Sequence, residues 1–128
     1  MNSNLFIVIS HANPDPMYKQ VTDQIKNAIA EGGLKQGEKL PSVRNLVQEL
    51  NISAITVKRA YADLEKEGYI LTRAGLGTFV SEMDKNQLRE DKMNEIKNEL
   101  LKILQNAKRY NISKSKIISL IKNIDDKE

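Results

Sequence analysis

Two apolar stripes at helical spacing stand almost end to end in this chain. Val43, Leu46, Val47 and Leu50 form the first, and Val57, Ala60, Tyr61 and Leu64 form the second at i, i+3, i+4 and i+7. Ser42, following Pro41, is placed to cap the first helix, and Asn51 to end it. Ser53 offers a new N-cap only three residues beyond Leu50. Two short helices across so tight a turn must cross steeply, which is the helix-turn-helix arrangement. The second of them is expected from about Ala54 to Lys66, closed by Gly68.

The flanking segments supply the rest of a small domain. Leu5 to Ile9 is a run of five apolar residues, read as a short buried strand. Asp15 followed by Pro16 predicts a helix start, with Asp15 as N-cap. Tyr18, Val21, Ile25, Ala28 and Ile29 give that helix one buried face, and Gly32-Gly33 ends it. After Gly68, two β segments are expected, Tyr69 to Thr72 and Gly77 to Val80. The tip Arg73-Ala74-Gly75-Leu76 between them would make a hairpin wing. The N-terminal strand is the expected cover for one edge of it.

Beyond Ser81 the pattern changes, and neither Pro nor Gly occurs from Glu82 onward. Met93, Ile96, Leu100, Ile103, Ala107 and Tyr110 are spaced 3, 4, 3, 4, 3, a heptad-like seam on one long helix. Leu101 and Leu104 widen it. Asn111 interrupts and Ser113 can cap a final helix carrying Ile117, Ile118, Leu120, Ile121 and Ile124. The expected fold is mainly α with a small β wing: a winged helix-turn-helix domain over residues 1–81, then a two-helix C-terminal dimerisation segment over 82–128. The expected dimer interface is Met93, Ile96, Leu100, Ile103, Leu104, Ala107, Ile117, Ile121 and Ile124. There is no internal repeat or low-complexity segment.

Composition narrows the chemistry. The chain has 128 residues, 29% of them charged, and a formal net charge of +3. That balance permits nucleic-acid binding without requiring it. The absence of cysteine excludes disulfides, thiolate catalysis and cysteine zinc sites. No apolar run approaches the ~20 residues of a membrane span, and Met1 to Ile9 lacks the basic leader of a signal peptide, so the cytoplasm is the expected compartment. His11 is the single histidine and reads as a surface residue. Glu95 with Glu99, and Asp125 with Asp126, suit ion pairing on lysine-rich helices better than acid–base catalysis. No set of nucleophile, base and orienter appears. Neither a metal, a cofactor nor an enzymatic activity is expected.

The outer face of the third helix has a polarity. Ser53, Thr56, Lys58 and Arg59 cluster in its first turns, whereas Asp63, Glu65 and Glu67 lie toward its end. The N-terminal residues of a recognition helix are the ones that reach base edges, and cations and the helix dipole favour phosphate there. A solvated helix of mixed charge would account for the charges alone. Polarity, tight turn and wing together point to DNA.

The motifs resemble one family in order. Met17-Tyr18-x-Gln20, then Gly37-Glu38-Lys39-Leu40-Pro41-Ser42-Val43-Arg44, is similar to the start of GntR-type DNA-binding domains. Thr56-Val57-Lys58-Arg59-Ala60-Tyr61, continuing to Gly68-Tyr69-Ile70, resembles their recognition helix and its exit. Gly75-x-Gly77-Thr78-Phe79-Val80 resembles their wing. The resemblance covers about residues 16 to 80. It implies DNA contacts for Ser42 and Arg44, for Ser53, Ile55, Thr56 and Lys58, and for wing residue Gly75 with Arg73 beside it. Ala54 and Ile55 depart from the pattern, standing where relatives often carry a polar residue. Lys58 stands where many carry arginine, which weakens the expectation of a bidentate guanine contact.

Only 48 residues follow Val80 (128 minus 80), too few for the large ligand-binding domains of most GntR subfamilies. Two helices in that space resemble the short YtrA-type subfamily, whose members are often associated with transporter operons. The expected partners are therefore operator DNA and a second copy of the chain, with no membrane. A small-molecule effector, if there is one, is expected near the junction of wing and tail or between subunits. The alternative is a protein-docking winged helix with a helical assembly tail.

Overall fold

The computed structural model describes residues 5–124, so Asp125 and Asp126 lie outside the described residues. Seven elements follow in order: α1 (Met17–Glu31), α2 (Val43–Leu50), α3 (Ala54–Lys66), β1 (Ile70–Arg73), β2 (Gly77–Val80), α4 (Lys85–Arg109) and α5 (Lys114–Asn123). They form two compact units, dividing after Lys85. Among the described residues no helix is long and apolar enough to cross a membrane.

In the first unit, α1 and α2 both pack on α3, and α3 also meets β1. Val21, Ile25 and Ile29 from α1, Leu46 from α2, and Val57, Ala60, Tyr61 and Leu64 from α3 are buried together with Ile70 and Val80. The loop residues Leu34 and Leu40 are buried as well. Ser42 caps α2 by accepting from Asn45 N–H at 3.0 Å. Asn51 ends α2 in the left-handed region, at φ 54°, a conformation that asparagine tolerates better than most residues. Gly68 closes α3 at φ 85°; its N–H reaches Glu65 O and that of Tyr69 reaches Leu64 O, a Schellman arrangement.

Three sequence expectations change here. Leu5 to Ile9 is neither a strand nor fully buried: Phe6 and Val8 are exposed and the others half-buried. Its backbone is held by side-chain amides of α1. Val8 donates to Gln24 Oε1 (2.9 Å) and accepts from Gln24 Nε2 (2.7 Å). Ser10 exchanges the same pair of bonds with Gln20 (2.9 and 3.0 Å). Residues four apart on a helix are about 6 Å apart along its axis, and alternate residues of an extended chain are separated by about 6.6 Å. Two glutamines therefore serve where a neighbouring strand would.

The edge of the hairpin is covered by a different segment. Leu40 N–H donates to Thr78 O (2.8 Å), Val80 N–H to Glu38 O (2.9 Å) and Gly37 N–H to Val80 O (2.9 Å). Gly37 to Leu40 thus lies along β2, where Leu5 to Ile9 was expected. Helix α1 begins one residue later than the capping reading, with Pro16 in the N-cap position and no side-chain cap. Asp15 instead lies 3.7 Å from Lys19, and its N–H is taken by Asn13 Oδ1.

The second unit is described on its own. Helix α4 is 25 residues long. Asn111, at φ 59°, ends it, and Ser113 caps α5 by accepting from Lys116 N–H at 3.1 Å. Among its described residues only Leu88 and Ala107 are buried. Met93, Ile96, Leu100, Leu101, Ile103, Ile118, Leu120, Ile121 and Ile124 are all exposed.

Candidate nucleic-acid interface

Ser53 and Thr56 build the start of α3. Ser53 Oγ accepts from Thr56 N–H (3.1 Å) and is hydrogen-bonded to Thr56 Oγ1 (2.8 Å). Both hydroxyls thereby bond within the first turn of the helix. At about 100° per residue, the buried stripe of Val57, Ala60, Tyr61 and Leu64 faces one way and Ile55 faces almost directly opposite. Lys58 and Arg59 flank Ile55 on that outer side, and all three are exposed. Ile55 keeps 80% of its surface open to solvent.

The acidic end of α3 is engaged inside the domain. Glu67 pairs with Lys26 of α1 at 2.8 Å, and Glu65 Oε2 accepts from Thr72 N–H of β1 at 3.2 Å. These carboxylates tie α3 to α1 and to the wing, away from its first turns.

Arg59 is held differently from Lys58. Its guanidinium lies 3.6 Å from the centroid of the Tyr18 ring, a cation–π stack that links α3 to the start of α1. Tyr18 reads from the sequence as a core residue, and nothing in linear spacing pairs it with an outward arginine forty-one positions on. Tyr61 has a similar second role. Its hydroxyl donates to Pro41 O, one residue before the Ser42 cap. The bond therefore fixes the start of α2, where exposed Ser42 and Arg44 stand, against α3. Burial raises the Tyr61 phenol well above its ordinary range, and the nearby Glu49 charge adds to this.

The wing pairs Ile70 with Val80, Leu71 with Phe79, Thr72 with Thr78 and Arg73 with Gly77. Arg73 therefore belongs to β1, one residue beyond its expected end, and the tip is Ala74-Gly75-Leu76. Gly75 has φ 75°, which glycine adopts without strain. Gly77 has φ 123°, and a Cβ there would come within 2.7 Å of Lys39 Cε, so the lysine stem crosses the wing over a glycine. Arg73 at the end of β1 and Leu76 at the tip are exposed. An open groove of about 620 Å³ beside the wing is lined by Leu71, Leu76, Phe79 and Glu82, among others. Among the described residues no cluster of three or more His, Asp or Glu could hold a metal, and His11 is exposed.

Comparison with known proteins fits this geometry. Residues 17–80 match the family described as bacterial regulatory proteins, gntR family. The HTH-type transcriptional repressor YtrA of Bacillus subtilis is 38% identical over 118 residues, covering 92% of this chain and 91% of that protein. A GntR family transcriptional regulator from Listeria monocytogenes has a similar structure, with TM-score 0.71 and 32% identity over 88% of this chain and 98% of the other. The AraR DBD in complex with operator ORX1 is similar over 60% of this chain and 96% of its own, with TM-score 0.53 and 29% identity.

Proposed function

The chain belongs to the gntR family of bacterial regulatory proteins and is a transcription regulator of the YtrA type with a winged helix-turn-helix; from that premise we propose that it is a repressor that binds an inverted-repeat operator as a homodimer. One observation carries the reading. The side of α3 that the core does not use presents Ile55 and Lys58 outward, while the helix's terminal carboxylates are drawn into bonds with Lys26 and Thr72. Ser42 and Arg44 at the start of α2 and Arg73 and Gly75 at the wing complete the DNA-facing set, with Ser53 and Thr56 shaping the helix end. A related DNA-binding domain has been captured on its operator, and the repressor YtrA matches nearly the whole chain.

Residues 1–81 would read DNA and residues 82–128 would join two copies. The exposed seam is formed by Met93, Ile96, Leu100, Ile103, Ile121 and Ile124, with half-buried Leu104 and Ile117 beside it. Each large aliphatic side chain contributes about 1.5–3 kcal/mol when fully buried, and two-fold symmetry lets one stripe cover its own copy. Control of a transporter operon, from the cytoplasm, is the finer form of this reading.

Titration of duplexes selected from a random pool tests it. Affinity should fall steeply with salt, because each neutralised phosphate releases about one counterion. The selected site should be an inverted repeat with half-sites about one helical turn apart or a multiple of that. Arg44→Ala and Lys58→Ala should each weaken binding, by about 1–3 kcal/mol where a base contact is lost. Equal affinity for selected and random duplexes would sink the proposal and favour protein docking.

A further inference from the structure

The first turn of α3 presents apolar side chains where hydrogen-bonding groups would be expected. Ser53 Oγ bonds to Thr56 Oγ1 and accepts from Thr56 N–H. Ala54 and Ile55 are the residues between them, and both are exposed. Ile55 lies opposite the buried stripe, so no element of its own domain covers it. In the major groove, the base-edge feature an apolar side chain can select is the C5-methyl of thymine. Guanine, adenine and cytosine have no methyl there, and an isoleucine would desolvate their hydrogen-bonding groups without replacing the bonds.

We infer that Ile55 is a specificity-determining residue that packs on a thymine methyl in each operator half-site, with Ala54 leaving room for that contact. The inference rests on the DNA-binding reading above. Lys58, one turn along on the same side, is free to read a neighbouring acceptor or a phosphate. The operator half-site therefore carries a thymine at the base pair facing Ile55, read through its methyl group rather than through hydrogen bonds.

Uracil in place of thymine removes that methyl and nothing else. The full-length chain is titrated with a site selected from random duplexes, in which each thymine is replaced by uracil in turn. One thymine per half-site should be sensitive, with binding weakened about fourfold for the methyl lost. Ile55→Ala, at an exposed position that leaves the core intact, should bind the thymine and uracil forms of that site alike. Its responses at other positions should be unchanged. Absence of any uracil-sensitive thymine, or equal sensitivity in Ile55→Ala, overturns the inference while operator binding stands. Failure to recover any selected duplex overturns both this and the reading beneath it.

Discussion

The chain turns twice with the same three residues and reaches two different ends. Asn51-Ile52-Ser53 joins α2 to α3, and Asn111-Ile112-Ser113, preceded by Tyr110, joins α4 to α5. Both asparagines are left-handed, at φ 54° and 59°. Both serines accept from an N–H three residues on, at 3.1 Å. The isoleucines differ: Ile52 is 9% exposed and Ile112 is 41% exposed. Local chemistry makes the joint, and neighbours decide what the joint buries. The first has α1 and the wing packed around α3. The second unit offers two helices with their apolar sides open.

The largest effect should come from charging the open side. Leu100→Glu with Ile103→Glu should leave the first unit folded, halve the mass seen in sedimentation and weaken operator binding by about 100-fold or more, the scale on which joining two sites raises affinity. A full-length protein that is monomeric at micromolar concentration before mutation would remove the second subunit from the comparison.

The two isoleucines offer the next test. Ile52→Ala should cost about 2–5 kcal/mol, as for other buried aliphatic truncations. Ile112→Ala should cost under about 1 kcal/mol if the residue stays at the surface. Chemical denaturation reads both. An Ile112 cost that matches that of Ile52 would mean that a partner buries it in solution.

Tyr61→Phe should cost about 1–3 kcal/mol by leaving Pro41 O without its donor. Its pH signature has a definite sign. The phenol's folded pKa lies above its unfolded one, so its contribution is full below the ordinary tyrosine value of about 10 and falls away at more alkaline pH. The phenylalanine variant should lose less stability above that pH than the parent protein. Equal alkaline slopes would contradict the assigned environment. The second unit has no buried tyrosine among its described residues, so this loss belongs to the first joint alone.

The smallest difference is expected between the caps. Ser53→Ala and Ser113→Ala should each cost about 0.5–2 kcal/mol, with Ser53 the costlier because it also bonds to Thr56 Oγ1. Amide exchange near Thr56 and Lys116 would report them separately. A larger cost at Ser113 would show that packing in solution also supports that cap.

Much of the candidate interface was legible in the residue order. The caps Ser42 and Ser53, the span of α3, the glycine at the wing tip and the outward Arg44 and Lys58 all follow from patterns that span a turn or two of chain. The family resemblance added Ile55 and Gly75 as DNA-facing positions. The stack of Arg59 on Tyr18, the tie from Tyr61 to Pro41 and the lysine stem over Gly77 were not legible. Each joins residues far apart in sequence, and each side chain has an ordinary reading on its own element.

The same division explains the misplaced strand. Helix stops and starts are satisfied within about four residues, since the unpaired N–H and C=O groups they settle lie in one turn, and so Asn-Ile-Ser supplies a left-handed asparagine and a capping serine at both joints. A strand edge makes a weaker demand on its partner. Its N–H and C=O groups accept any amide at the right spacing, so Gln20 and Gln24 could hold Val8 and Ser10 while Gly37 to Leu40 took the wing. Hydrophobicity marked Leu5 to Ile9 as a strand, but packing of the whole domain chose which segment lay beside β2.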